Sequence, residues 1–159
     1  MSVTHLRNAT MSDASRELKR MLSEGIRSIN VRRLAESAVT DNQIADVFDF
    51  MKAKFKYQPD PLGVELFIHP NRVAEDYFAG NLRRMDCDDM ALTSGAMLGS
   101  LGNRVRIIIA DTAFNGEYDH AWSEIYSEKL NGWISCDPSS SLPLGWCIEY
   151  GKRIVVIPN

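Results

Sequence analysis

The chain has 159 residues, 45% of them hydrophobic and 25% charged, which suits one domain with a real core and excludes a disordered chain. A formal net charge of −3 argues against a nucleic-acid binder, which would carry a basic face; the basic pairs Arg32-Arg33 and Arg83-Arg84 read as solvated surface. No apolar run is long enough to span a bilayer, MSVTHLRNATMSD lacks the order of a signal peptide, and three widely spaced cysteines are not a disulfide framework. The expectation is a reducing, cytoplasmic setting with no membrane partner.

Residues 1–11 carry little periodic signal and read as a loose arm, and residues 1–159 as a single domain. From Asp13, the apolar positions Leu18, Met21, Leu22, Ile26 and Ile29 fall at helical spacing. A second helix is expected from Thr40, with Thr40 and Gln43 as a capping box and Ile44, Val47, Phe48, Met51 and Phe55 as its buried stripe. YQPDPLG then reads as a turn or loop. Pro70-Asn71 opens a short helix with Val73, Ala74, Tyr77 and Phe78 inward and Gly80 as its stop.

The stretch MDCDDMALTSGAMLGSLG predicts a helix starting near Cys87 and ending at Gly102, with Met90, Ala91, Ser94, Met97, Leu98 and Leu101 on one face. Its small residues, Ala91, Ser94, Gly95, Ala96 and Gly99, invite a close neighbour. After Gly102 the pattern changes to RVRIIIAD, DHAWSEIYS, GWISCDP and KRIVVIP, four strands joined by turns. Helices first and sheet second give an α+β fold, with the N-terminal helices, including the cysteine-bearing one, packed on a C-terminal antiparallel sheet.

Of the three histidines, His5 and His69 read as surface residues, whereas His120 lies in a strand. Alternation puts His120, Trp122, Glu124 and Tyr126 on one face, and Trp133, Ser135 and Asp137 on one face of the next strand. With Tyr126 opposite Asn131 and a four-residue loop from Ser127 to Leu130, His120 faces Asp137, about 5 Å apart at Cβ. The turn signal Asn131-Gly132 favours another register, with Asp137 opposite Tyr126 and His120 roughly 20 Å away. The four-residue loop is the preferred reading.

A nucleophilic thiol needs a base, and the base needs an orienting group. Cys87 opens a helix, where free N–H groups and the dipole favour an anion. His120 can serve as base and Asp137 can hold its tautomer. The acids Asp86, Asp88 and Asp89 oppose ionisation, so the thiolate is expected to depend on His120. Asp86 is placed to cap the helix, with Asp88 and Asp89 splayed outward in its first turn. No CxxC, HExxH or paired histidines appear, so neither a metal nor a cofactor is expected. Cys136 points to the face opposite Asp137 and reads as core, Cys147 as a packing residue, and Trp122, Trp133 and Trp146 as core, with Trp122 also a candidate to line a substrate groove. Tyr57 and Gln58 are candidates to complete an oxyanion hole with the Cys87 N–H.

DCDDMALTSGAMLGSLG, DHAWSEIY and GWISCDPSS together resemble the three signature blocks of the transglutaminase-like superfamily: a cysteine opening an apolar helix, a histidine followed by Ala-Trp, and a tryptophan shortly before Asp-Pro. The lead-in FKYQPDP has the same flavour. Met85-Asp86 departs from the common Gly-acid pair, and the DCDD variant resembles small bacterial and tailed-phage domains. The resemblance implies a papain-like core and a Cys87–His120–Asp137 site that attacks an amide or peptide bond. Hydrolysis of a peptide or protein substrate is favoured over transfer to an amine. The rival reading is a catalytically silent structural or binding module of a larger assembly, with a virion location if the chain is phage-encoded.

Overall fold

The computed structural model describes residues 3–7, 10–61 and 64–159. In chain order the elements are β1 (Val3–Arg7), α1 (Met11–Arg27), α2 (Ile29–Ala38), α3 (Gln43–Lys54), β2 (Lys56–Tyr57), β3 (Val64–Ile68), α4 (Pro70–Phe78), β4 (Arg84–Met85), α5 (Cys87–Ser100), β5 (Val105–Ala110), β6 (His120–Ser127), β7 (Gly132–Cys136) and β8 (Arg153–Val156). The four strands expected after Gly102 form an antiparallel sheet in the order β7-β6-β5-β8. The fold is α+β, as read from the sequence.

Helix α5 is the centre of the packing. Every residue from Asp89 to Gly99 is buried, so the helix is enclosed all round rather than on the single face expected. It touches the four other helices on one side and β5 and β6 on the other. Its small residues make this possible. A Cβ at Gly99 would lie 2.6 Å from Ile26 Cγ1 and 3.2 Å from Val105 Cγ2, and a Cβ at Gly25 of α1 would lie 2.9 Å from Ala96 Cβ. The inner sheet face contributes Ile107, Ile109, Ala121, Ile125, Cys136 and Val156 to this core. On the outer face, Ile108, Ala110 and Trp122 form a separate small cluster with Tyr150 and Val155.

Several local expectations are corrected. Residues 3–7 are not a loose arm but a strand that pairs antiparallel with β3. His5 belongs to it, and its side chain lies outside what the structure describes, as do residues 62 and 63 of the YQPDPLG loop. The first helix breaks at Ser28, whose hydroxyl caps α2 by accepting from Val31 N–H and donates to Asn71. Ile29 is therefore exposed. Helix α3 is capped by Asn42 rather than Thr40, because the Asp46 carboxylate gathers the N–H groups of Thr40, Asp41 and Asn42 at 2.8, 2.8 and 3.1 Å. Phe78 and Trp146 are exposed, as is Cys147. Trp133 is half-buried with the Arg106 guanidinium 4.0 Å over its ring.

His69 is also not a surface residue. It is 1% exposed and caps α4. Its Nδ1 accepts the Asn71 N–H at 3.1 Å, and its Nε2 lies 3.0 Å from Glu24 Oε2. An accepting Nδ1 must be unprotonated, so Nε2 donates to Glu24. Burial pushes the His69 pKa down, against the pull of Glu24.

Two outcomes follow. Gly99→Ala should lower stability by about 1 kcal/mol, since crowding against Ile26 outweighs the gain in helix propensity; the urea midpoint measures it. His69 is depressed in the fold, so its contribution is full above the unfolded value of about 6.5 and shrinks as pH falls through and below it. His69→Asn keeps a capping acceptor but cannot titrate, so it should flatten the fall in urea midpoint between pH 7 and 5.

Candidate active site

The site forms where α5 begins beside the sheet. Asp86 is the N-cap: its Oδ1 accepts the Asp89 N–H at 3.0 Å, as the sequence suggests. This cap starts the helix at Cys87, so the thiol stands on the first turn among N–H groups with no intrahelical acceptor. Asp89 does not splay outward. It is 2% exposed, and its Oδ1 takes the Ile68 N–H at 2.8 Å, tying α5 to β3. Burial, with Asp86 close by, raises its carboxyl well above the ordinary range.

His120 is the first residue of β6, and Asp137 follows the last residue of β7. The hairpin has the four-residue loop expected, but over Glu128–Asn131, with Ser127 paired to Gly132, Tyr126 to Trp133 and Glu124 to Ser135. The register is offset by two residues from the expected one. An even offset leaves every side chain on its face, so His120 and Asp137 meet on the diagonal. His120 Nε2 lies 2.7 Å from Asp137 Oδ2. Asp137 Oδ1 accepts the Ser139 hydroxyl at 2.6 Å and its N–H at 3.3 Å. Burial pushes the Asp137 carboxyl up, but the hydrogen bond and charge of His120, with Ser139, outweigh it and leave the pKa below the usual carboxylate range.

Cys87 and His120 line one small cavity of about 70 Å³, with Met11, Ala14, Leu18, Phe67, Asp88, Ile109, Tyr118 and Asp119. No hydrogen bond joins the thiol to His120 among the described residues. Burial pushes the Cys87 pKa up strongly, Asp88 and Asp86 add to this, and the Ala121 N–H opposes it. The resting group is thus a neutral thiol rather than a standing thiolate.

The other candidates lie further out. Tyr57 is half-exposed and close enough to feel the site: burial, then Cys87, Asp86, Asp88 and Asp137, raise its pKa. Gln58 is exposed, donates its N–H to Met85 O at 2.8 Å, and lines a second cavity of about 360 Å³ with Asp86 and Asp89. Phe67 faces the first cavity, and its neighbours Leu66 and Ile68 face the second. Trp122 does not line the Cys87–His120 cavity. It is 2% exposed, stacked behind His120 at a ring distance of 5.7 Å, with its Nε1 lacking a partner. Cys136 is fully buried, as expected. Ser139 was not foreseen, although a serine two residues after an aspartate is a turn signal that could have found it.

A helix-borne thiol, a strand-borne histidine and its carboxylate on an α+β core define a papain-like class of protein. The family model described as Transglutaminase-like superfamily matches residues 30–138, and the chain belongs to that superfamily. Among solved structures, it resembles a protein of Cytophaga hutchinsonii described as a candidate cysteine protease, at 15% identity and a TM-score of 0.55, over 90% of this chain and 52% of that one. The chain therefore spans about half the length of that protein. It also matches Rad4 of the Rad4/XPC nucleotide excision repair complex, at 14% identity and a TM-score of 0.47, over 87% of this chain and 43% of that one. A Rad4–Rad23 complex bound to a 6-4 photoproduct lesion matches at 16% identity and a TM-score of 0.40, over 81% and 35%. No curated protein matches significantly.

The raised thiol pKa makes a direct prediction. In a Cys147→Ser background, which removes the exposed thiol, Cys87 should alkylate with iodoacetamide more slowly at pH 7 than a free cysteine, with a pH midpoint above about 8.5. Asp88→Asn removes the second-largest cause and should move that midpoint down.

Proposed function

We propose that the chain is a thiol-dependent acyl-transfer enzyme acting on an amide or peptide bond, with Cys87 as nucleophile, His120 as general base and acid, and Asp137 as the group that orients His120. The observation that carries this reading is the 2.7 Å contact between His120 Nε2 and Asp137 Oδ2, beside a cavity that His120 shares with Cys87. The contact commits Nε2 to the carboxylate and leaves Nδ1 for the thiol proton.

Because the resting thiol is neutral, His120 takes its proton as sulfur attacks the carbonyl carbon, rather than holding a preformed ion pair. The carbonyl electron pair moves to oxygen, and the Cys87 N–H at the helix start is placed to receive that oxyanion. His120 then delivers the proton to the departing amine, and the C–N bond breaks to leave a thioester on Cys87. Water, deprotonated by His120, attacks the thioester and releases a carboxylic acid and the thiol. An amine in place of water gives a new amide. Hydrolysis is the favoured outcome because the residues of this chain resemble small domains rather than multidomain crosslinking enzymes. Asp137, ionised and hydrogen-bonded, stabilises the imidazolium formed in both halves.

The test is a trapped acyl-enzyme. Incubation with peptide libraries should give a mass adduct on Cys87 that is absent from Cys87→Ala and His120→Ala. Asp137→Ala should lower kcat/KM by roughly 10²–10⁴-fold. Turnover that survives Cys87→Ala would remove Cys87 as the nucleophile, and the absence of both turnover and any adduct would leave the silent-module reading in its place.

A further inference from the structure

The cavity between Cys87 and His120 is small, and part of its wall lies outside the family's shared stretch. Its volume is about 70 Å³, about half that of an engineered cavity of ~150 Å³ that accommodates benzene. Three of its walls, Met11, Ala14 and Leu18, come from α1, with Phe67 of β3 and Ile109 of β5 completing them. Leu18 and Phe67 are each 1% exposed and Ala14 is 7% exposed, so these walls are packed parts of the core rather than surface side chains free to swing away. The family match covers residues 30–138. Cys87, His120 and Asp137 fall inside it, while all three α1 wall residues fall before it.

The cavity is mixed in character: the Asp88 and Asp119 carboxylates and Tyr118 line it beside the apolar groups of α1, β3 and β5. The Asp119 carboxylate is engaged by the Thr112 N–H and hydroxyl, both at 2.8 Å, and by the Ala113 N–H at 3.1 Å. A long cationic or amide side chain is too large for a space of this volume. A bulky aromatic or leucine-sized group exceeds the space.

We propose that this cavity is the specificity pocket of the acyl-transfer site, and that it selects an amide or peptide substrate carrying a small group, glycine to valine in size, next to the scissile carbonyl. The inference rests on the acyl-transfer reading above. The reacting bond lies at the cavity mouth between sulfur and imidazole, and the flanking group fills the space bounded by Met11, Ala14 and Phe67. Pocket size sets the discrimination; excess methylenes meet α1.

The experiment is cleavage profiling by mass spectrometry with peptides in which the two residues flanking the scissile bond are varied separately, on the unaltered chain and on Met11→Ala and Ala14→Leu. Circular dichroism and thermal melts establish that each variant is folded. At one of the two flanking positions, glycine, alanine, serine or valine should be preferred over phenylalanine, leucine or lysine by at least about tenfold in kcat/KM. Met11→Ala should shrink that ratio severalfold by admitting larger groups. Ala14→Leu should restrict turnover to glycine. Equal cleavage with phenylalanine or lysine at both positions, or a profile unchanged in both folded variants, overturns the pocket while leaving the acyl-transfer reading intact. Absence of turnover and of any Cys87 adduct across the library overturns both.

Discussion

The constraint on which the structure depends is the complete enclosure of a helix that begins with Cys87. Helix α5 is buried from Asp89 to Gly99, and it holds four helices to one face of the sheet. Small residues permit the close approaches, at Gly99 against Ile26 and at Ala96 against Gly25. Enclosure fixes the Cys87 position within the packing of the whole molecule, so a core change is felt at the thiol. It also brings a penalty at the same atom. The acids of the helix start, Asp88 and then the cap Asp86, share with burial the effect of making the region unwelcoming to another negative charge. The thiol pKa is accordingly raised, and a nucleophile here needs a base at the moment of attack.

His120 is held by the sheet rather than by the helix. His120 and Asp137 sit at adjacent ends of β6 and β7, and their 2.7 Å contact is a product of strand register. On the outer sheet face beside His120, Trp122 packs against Tyr150. The helix supplies Cys87 and the hairpin supplies His120, with the cavity at their junction.

Much of this was legible in the residues. The four strands, the cap at Asp86, the positive-φ stops at Gly80 and Gly102 and the shared face of His120 and Asp137 all follow from local patterns. The even offset of the hairpin explains why a misjudged register still brought the right side chains together: parity sets the face, and register sets only the diagonal. What was not legible depended on partners distant in sequence. His69 looked like a loop residue because its partner Glu24 lies in another helix. Thr40 fits a capping box, yet Asp46 competes for the same N–H groups. Asp89 looked like a solvated first-turn acid because nothing local announces the Ile68 N–H that buries it. The cavity walls from α1 were invisible for the same reason: Met11 and Ala14 are ordinary positions of an amphipathic helix until tertiary packing sets them beside residue 87.

The enclosure of α5 also has a consequence for the order in which the chain can be completed during synthesis. The helix, with its unbroken buried surface, is finished at Ser100, but the strand that covers its second side, β6, ends only at Ser127. At synthesis rates of about 5–20 residues per second, the intervening stretch leaves an apolar helix without its sheet for roughly one to five seconds. The helices that precede it, α1 to α4, can shelter only the opposite side. The nascent chain therefore passes through a stage in which its most hydrophobic helix presents one open flank, a natural point of engagement for chaperones and the stage at which slow translation or crowded expression would cost soluble yield.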